Sequence, residues 1–177
     1  MILDLLFEIT GWLRETFLLD LAFWMMETSL SLFMVENFWN VPLAQVVHIM
    51  SIGAAFGALI MLSARVHGKA AETLPMDAVA ARYVPWVWYG LLGIVISGLL
   101  MLTAEPLRNM INAVFWIKMI LLLIVVAITL GFFKSVKAQG AGGAVQAASG
   151  TRVTSLVIIG LWLLIMLAGR WIAYIPV

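Results

Sequence analysis

The chain has 177 residues, 64% of them hydrophobic and 11% charged, with a mean hydropathy of +1.11; soluble domains are apolar over only about half their residues. It reads as an integral membrane protein with little length to spare for an extramembrane domain. A net charge of +1 without a basic run excludes a phosphate-tracking nucleic-acid partner, and the absence of cysteine excludes disulfides and thiolate ligands. Histidine, methionine, carboxylates and backbone are left for any metal.

Residues 1–40 are apolar but repeatedly interrupted by charge, at Asp4, Glu8, Arg14, Glu15, Asp20, Glu27 and Glu36. No uncharged stretch approaches the roughly 20 residues that a span requires. Asp4, Glu8 and Glu15 fall within an arc of about 40° on a helix, with Leu5, Leu6, Ile9, Trp12 and Leu13 on the rest of its surface, the pattern of an amphipathic interfacial helix. Residues 17–37 form a second such piece, since crossing would place Asp20 and Glu27 in hydrocarbon; a fifth span there is the alternative. No cationic start precedes an apolar core, so no cleavable signal peptide is expected.

The first span runs from about 41 to 64, with Asn40 as cap and Pro42 in its first turn. It carries His48 about two turns inside one end. A full charge within a span costs roughly 2 to 3.5 kcal/mol, which an imidazole avoids by staying neutral, the form that also ligates metals and haem iron. Ala44, Gln45, Ser51, Ala55 and Leu59 share its side of the helix, while Gly53 and Gly57 form a GxxxG on the back, suited to a close helix neighbour. The alternative role for His48 is an interhelical hydrogen bond. The loop that follows holds Arg65, Lys69 and Arg82, and its His67 reads as an interfacial residue without a task.

The second span, about 84–104, begins through Pro85, Trp86, Trp88 and Tyr89 at headgroup level. Gly90, Gly93 and Ser97 share one face and mark a close helix contact. A short turn with Glu105, Pro106, Arg108 and Asn112 leads to the third span, about 113–133, in which Lys118 lies about 8 Å past the start. A Lys- and Gly/Ala-rich stretch, 134–152, has the composition of a flexible linker. The last span, about 153–174, holds Met166, Arg170, Trp171 and Tyr174 near its end. The expected fold class is thus an all-α integral membrane protein: a four-helix transmembrane bundle (41–177) preceded by N-terminal amphipathic interfacial helices (1–40).

The loops after the first and third spans carry Arg65, Lys69, Arg82, Lys134, Lys137 and Arg152 and are assigned to the cytoplasm, with both termini periplasmic. His48, Lys118 and Arg170 then fall at one depth in the outer leaflet, roughly 5 to 10 Å below the surface. Haem b accounts for the trio: His48 ligates iron, and Lys118 and Arg170 pair with the propionates. Met166, one turn deeper than Arg170, is the candidate second axial ligand, with Met50 and Met101 as weaker candidates and an open sixth position as an alternative. Snorkelling of Lys118 and Arg170 to headgroups is the competing explanation of those two residues.

The segments HIMSIGAAFGALIML, PWVWYGLLGIVISGLLML, FWIKM and AGRWIAY resemble an uncharacterised family of small bacterial inner-membrane proteins. More distantly, a helix histidine, then Pro and Ser-Gly in the next helix, then Phe-x-x-Lys in the third is similar to HemJ-type protoporphyrinogen oxidases and to the membrane domain of copper-resistance D proteins. The resemblance covers about residues 41–175. It implies a b-type haem, with His48 and Lys118 as the functional polar residues.

The leading expectation is a small b-type haem protein of the bacterial inner membrane, moving electrons between a quinone or periplasmic redox protein and the periplasmic face. The alternatives are a porphyrinogen oxidase using the same pocket, a copper-handling or transport protein using His48 with methionines, and a cofactor-free accessory subunit whose acidic outer helices dock a larger complex. The bilayer is an expected partner in every case, and a homo-oligomer is compatible with each.

Overall fold

The computed structural model describes residues 2–71, 73–141 and 146–174. Its elements, in order, are α1 (Ile2–Arg14), α2 (Phe17–Met26), α3 (Ser29–Glu36), α4 (Asn40–Val66), α5 (Met76–Ala104), α6 (Pro106–Met110), α7 (Ala113–Ala141) and α8 (Ser149–Trp171). The fold is all-α, with no strand among the described residues. Helices α4, α5, α7 and α8 are each long and apolar enough to cross a membrane. Many of their exposed side chains are large and apolar, as at Leu43, Ile49, Leu92, Leu123 and Leu163, which suits lipid as the solvent.

The amphipathic reading of α1 matches its packing. Leu13 and Thr10 are buried and Leu6 packs against Val114 and Ile172, whereas Asp4, Glu8 and Glu15 are exposed. Residues 17–36 form two helices that meet at 63°. Each starts on a threonine: Leu18 N–H donates to Thr16 Oγ1 at 3.3 Å, and Ser31 N–H donates to Thr28 Oγ1 at 3.3 Å, which satisfies amides that a helix start leaves orphaned. At 1.5 Å per residue the two pieces are about 15 and 12 Å long, against about 30 Å of hydrocarbon, so neither crosses alone.

Three boundaries differ from the sequence reading. Asn40 does not cap α4; its Nδ2, like that of Asn37, donates to the Phe33 carbonyl at the end of α3, at 2.8 and 2.9 Å. The second long helix begins at Met76, so Pro85 lies inside it, because the alanine-rich 76–83 is a good helix former and continues the turns that the aromatic belt begins. Residues 134–141 of the supposed linker extend α7, with Gly140 set directly against Asp77: a β-carbon there would stand 2.6 Å from the Asp77 nitrogen. Positions 142–145 of that linker lie outside the described residues.

The chain divides into two compact units. One comprises the chain up to Ile49, Ile94–Ile120 and the chain from Ile165. Here α2 packs on α6, and Met34, Ala44 and Ala104 form a core with Val41, Leu100 and Met101. Asn112 is 0% exposed; its Oδ1 accepts from Val114 N–H at 2.9 Å, capping α7, while its Nδ2 donates to the Ile172 carbonyl at 3.4 Å.

The other unit comprises Met50–Gly93 and Leu121–Leu164. Gly90 and Gly93 of α5 lie against Ser51 and Ala55 of α4, which is the close contact their shared face announces. By contrast, nothing described lies within 4 Å of a β-carbon built at Gly53 or Gly57, so the GxxxG face takes no helix of this chain. Helix α4 stops where Gly68, at φ +65°, turns the backbone left-handed and Lys69 N–H reaches the Ala64 carbonyl at 2.8 Å. Arg65, 5% exposed, spends its Nε and Nη2 protons on the Leu74 carbonyl.

Candidate functional site

All four residues singled out for a cofactor, His48, Lys118, Met166 and Arg170, fall in the first unit. Helix α4 presents His48 half-buried, with Nδ1 2.9 Å from Oγ of Ser97 on α5. Ser97 is itself 1% exposed, and its hydroxyl donates back to the Ile94 carbonyl at 3.4 Å. Gly98 completes the seat, since a β-carbon there would sit in ordinary contact, 3.6 Å from Cε1 of the imidazole. The ring is thus held at one nitrogen. Among the described residues nothing bonds its Nε2.

Lys118 rises from the first turns of α7. Its stem lies against Gly169 of α8, 3.8 Å from where a β-carbon would be, and its ammonium stands 6.0 Å from the Phe115 ring centroid. It makes no hydrogen bond or ion pair among the described residues. His48 and Lys118 thus belong to the same compact unit, on α4 and α7. A shallow apolar groove of about 290 Å³ passes close by, with Ser97, Ala44, Val47, Leu100 and Phe33 in its walls, near the lower end of ligand-pocket sizes.

Arg170 is placed differently. It is exposed, donates from Nη2 to Tyr174 Oη at 2.9 Å and lies 5.2 Å from that ring. Its hydrogen-bond partner is thus on its own stretch of chain, four residues on. Met166 is half-buried one turn before it. Met50 is 70% exposed, and Met101 packs on the core around Ala44. No group of three or more His, Asp or Glu residues able to hold a metal ion occurs among the described residues.

His67 is not the idle interfacial residue that its loop position suggests. In the second unit its Nε2 lies 3.2 Å from Ser155 Oγ, which also accepts from Ser63 at 3.1 Å and donates to the Arg152 carbonyl at 2.7 Å. This buried hydroxyl relay ties the end of α4 to the start of α8. Its chemistry is structural, a set of satisfied polar groups.

Sequence reasoning placed Ser97 on the packing face with Gly90 and Gly93 without pairing it to His48. Opposite directions of α4 and α5, with His48 early in one and Ser97 late in the other, are the signal that pairs them. Gly169 and Asn112 carried no such signal.

A family match covers residues 23–175, and so includes every residue of this site. The chain belongs to a family of unknown function, DUF6644. No curated protein and no solved structure matches it. The DUF6644 region leaves out α1 and begins within α2, so it takes in α3 beside the groove as well as the four long helices.

Proposed function

We propose that this protein binds a haem b in the bacterial inner membrane and passes electrons close to the periplasmic face. The reading rests on one observation: an imidazole bonded at Nδ1 to Ser97, in the same compact unit as a lysine that has no anionic partner among the described residues. An iron ligand needs such a lone pair, and a propionate needs such a cation. Bound haem supplies one-electron chemistry. The remaining work falls to the protein. His48 holds the ligand, Lys118 holds its charged edge, and Ser97 with Gly98 keeps the imidazole from turning. The similarity to HemJ-type proteins in the order of histidine, Ser-Gly and Phe-x-x-Lys supports the same pair, and Lys118 rather than Arg170 is the propionate partner, given Arg170's bond to Tyr174.

The test is an absorption spectrum of detergent-purified protein from cells able to make haem. A Soret band with reducible α and β bands, lost in His48→Ala, supports the proposal. A colourless protein that takes up no added haem overturns it, and stoichiometric copper in that colourless protein would replace it with the copper-handling reading.

A further inference from the structure

A hydroxyl has one proton to give and two lone pairs, so where Ser97 sends its proton decides which nitrogen of His48 carries one. Ser97 Oγ is 2.9 Å from His48 Nδ1 and 3.4 Å from the Ile94 carbonyl oxygen. The carbonyl can only accept. With the hydroxyl proton on Ile94, in the back-bonding that serine commonly makes within a helix, the bond to His48 runs in the other direction, from Nδ1–H to Oγ.

We propose that Ser97 is a positioning residue: it locks His48 in the Nδ1–H tautomer and so presents the Nε2 lone pair to an electron-poor centre. The identity of that centre, haem iron, rests on the function proposed above; the tautomer does not. Ser97 suits the task because it is 1% exposed, so water does not compete for its hydroxyl. Gly98 lies beside the ring, which a β-carbon there would meet in ordinary contact at 3.6 Å. The opposite assignment, with Ser97 donating to Nδ1, would put the proton on Nε2 and make the site a hydrogen-bond donor with no affinity for a metal centre.

The test separates the two layers. Protein labelled with ¹⁵N-histidine, purified without haem and carrying His67→Gln so that one imidazole remains, is read by nitrogen NMR. The expected spectrum has a protonated Nδ1 and an unprotonated Nε2. A protonated Nε2 overturns the proposal. In Ser97→Ala both tautomers should appear and affinity for added haem should fall on the order of 10- to 100-fold, the usual cost of losing a group that orients a ligand. Ser97→Thr, which keeps the hydroxyl, should restore the single tautomer. An unchanged tautomer in Ser97→Ala would show that Ser97 does not set it. A wild-type protein with the expected tautomer that takes up no haem would keep the role of Ser97 and remove the haem reading alone.

Discussion

Gly90 of α5 touches the backbone of Ser51 on α4: a β-carbon at Gly90 would stand 2.7 Å from the Ser51 carbonyl oxygen and 2.7 Å from Cβ of Ala55. No rotamer change relieves a clash with backbone. Gly90→Ala is expected to destabilise the protein by about 1–3 kcal/mol, as overpacking does. Gly53→Ala and Gly57→Ala, which meet nothing within 4 Å, should be tolerated. Thermal unfolding in detergent distinguishes them, and equal losses at all three positions would refute the contact.

The cofactor site makes a graded prediction. His48→Ala should abolish haem binding, since His67 is engaged with Ser155. Lys118→Ala should remove a charge-assisted contact worth about 1.5–3 kcal/mol, one to two powers of ten in affinity. Arg170→Ala should leave affinity unchanged, because its guanidinium is occupied by Tyr174 on the exposed side of α8. Haem titrations followed by difference spectra give the three values. An Arg170→Ala loss equal to that of Lys118→Ala would contradict the placement.

Orientation follows from charge. By the positive-inside rule the six lysines and arginines at Arg65, Lys69, Arg82, Lys134, Lys137 and Arg152 predict that the α4–α5 and α7–α8 connections lie in the cytoplasm and α6 outside. A cysteine introduced at Asn109 should react with an impermeant maleimide on intact spheroplasts, and one at Gly68 only after lysis. The reverse pattern would invert the topology.

Asn112 is a structural counterpart. With its Oδ1 capping α7 and its Nδ2 on the Ile172 carbonyl, Asn112→Ala should cost about 1–2 kcal/mol by loss of the cap alone. Asn112→Ser should recover part of this, since a hydroxyl also caps a helix start and, unlike a carboxylate, buries no charge against the Ile172 carbonyl. If thermal unfolding shows no difference between the two variants, the cap carries no stability.

Much of the architecture was legible in the sequence. Apolar length gave the four long helices, and the spacing of Gly90, Gly93 and Ser97 gave the α4–α5 contact. Depth along a helix can be counted from its ends, but azimuth in a helix apolar all round cannot, so the bond of Arg170 to Tyr174 was not legible. The interior serines and Asn112 were illegible for a related reason. A hydroxyl or amide among apolar residues reveals that it needs a partner, not which distant segment supplies it. Residues 134–141 were misread because glycine and alanine suggest a linker by composition, whereas Gly140 serves the approach of Asp77.

If haem binds as proposed, the ammonium of Lys118 would also act as a filter. A bare Cu(I) or other free cation arriving at such a site would meet a like charge that no described residue neutralises, so its coordination would be opposed before any methionine was reached. A ligand that brings negative charge at its rim and a Lewis acid at its centre meets no such opposition. It discharges the lysine and engages the imidazole in the same event, so the protein gains most from ligands whose charge is distributed in that way.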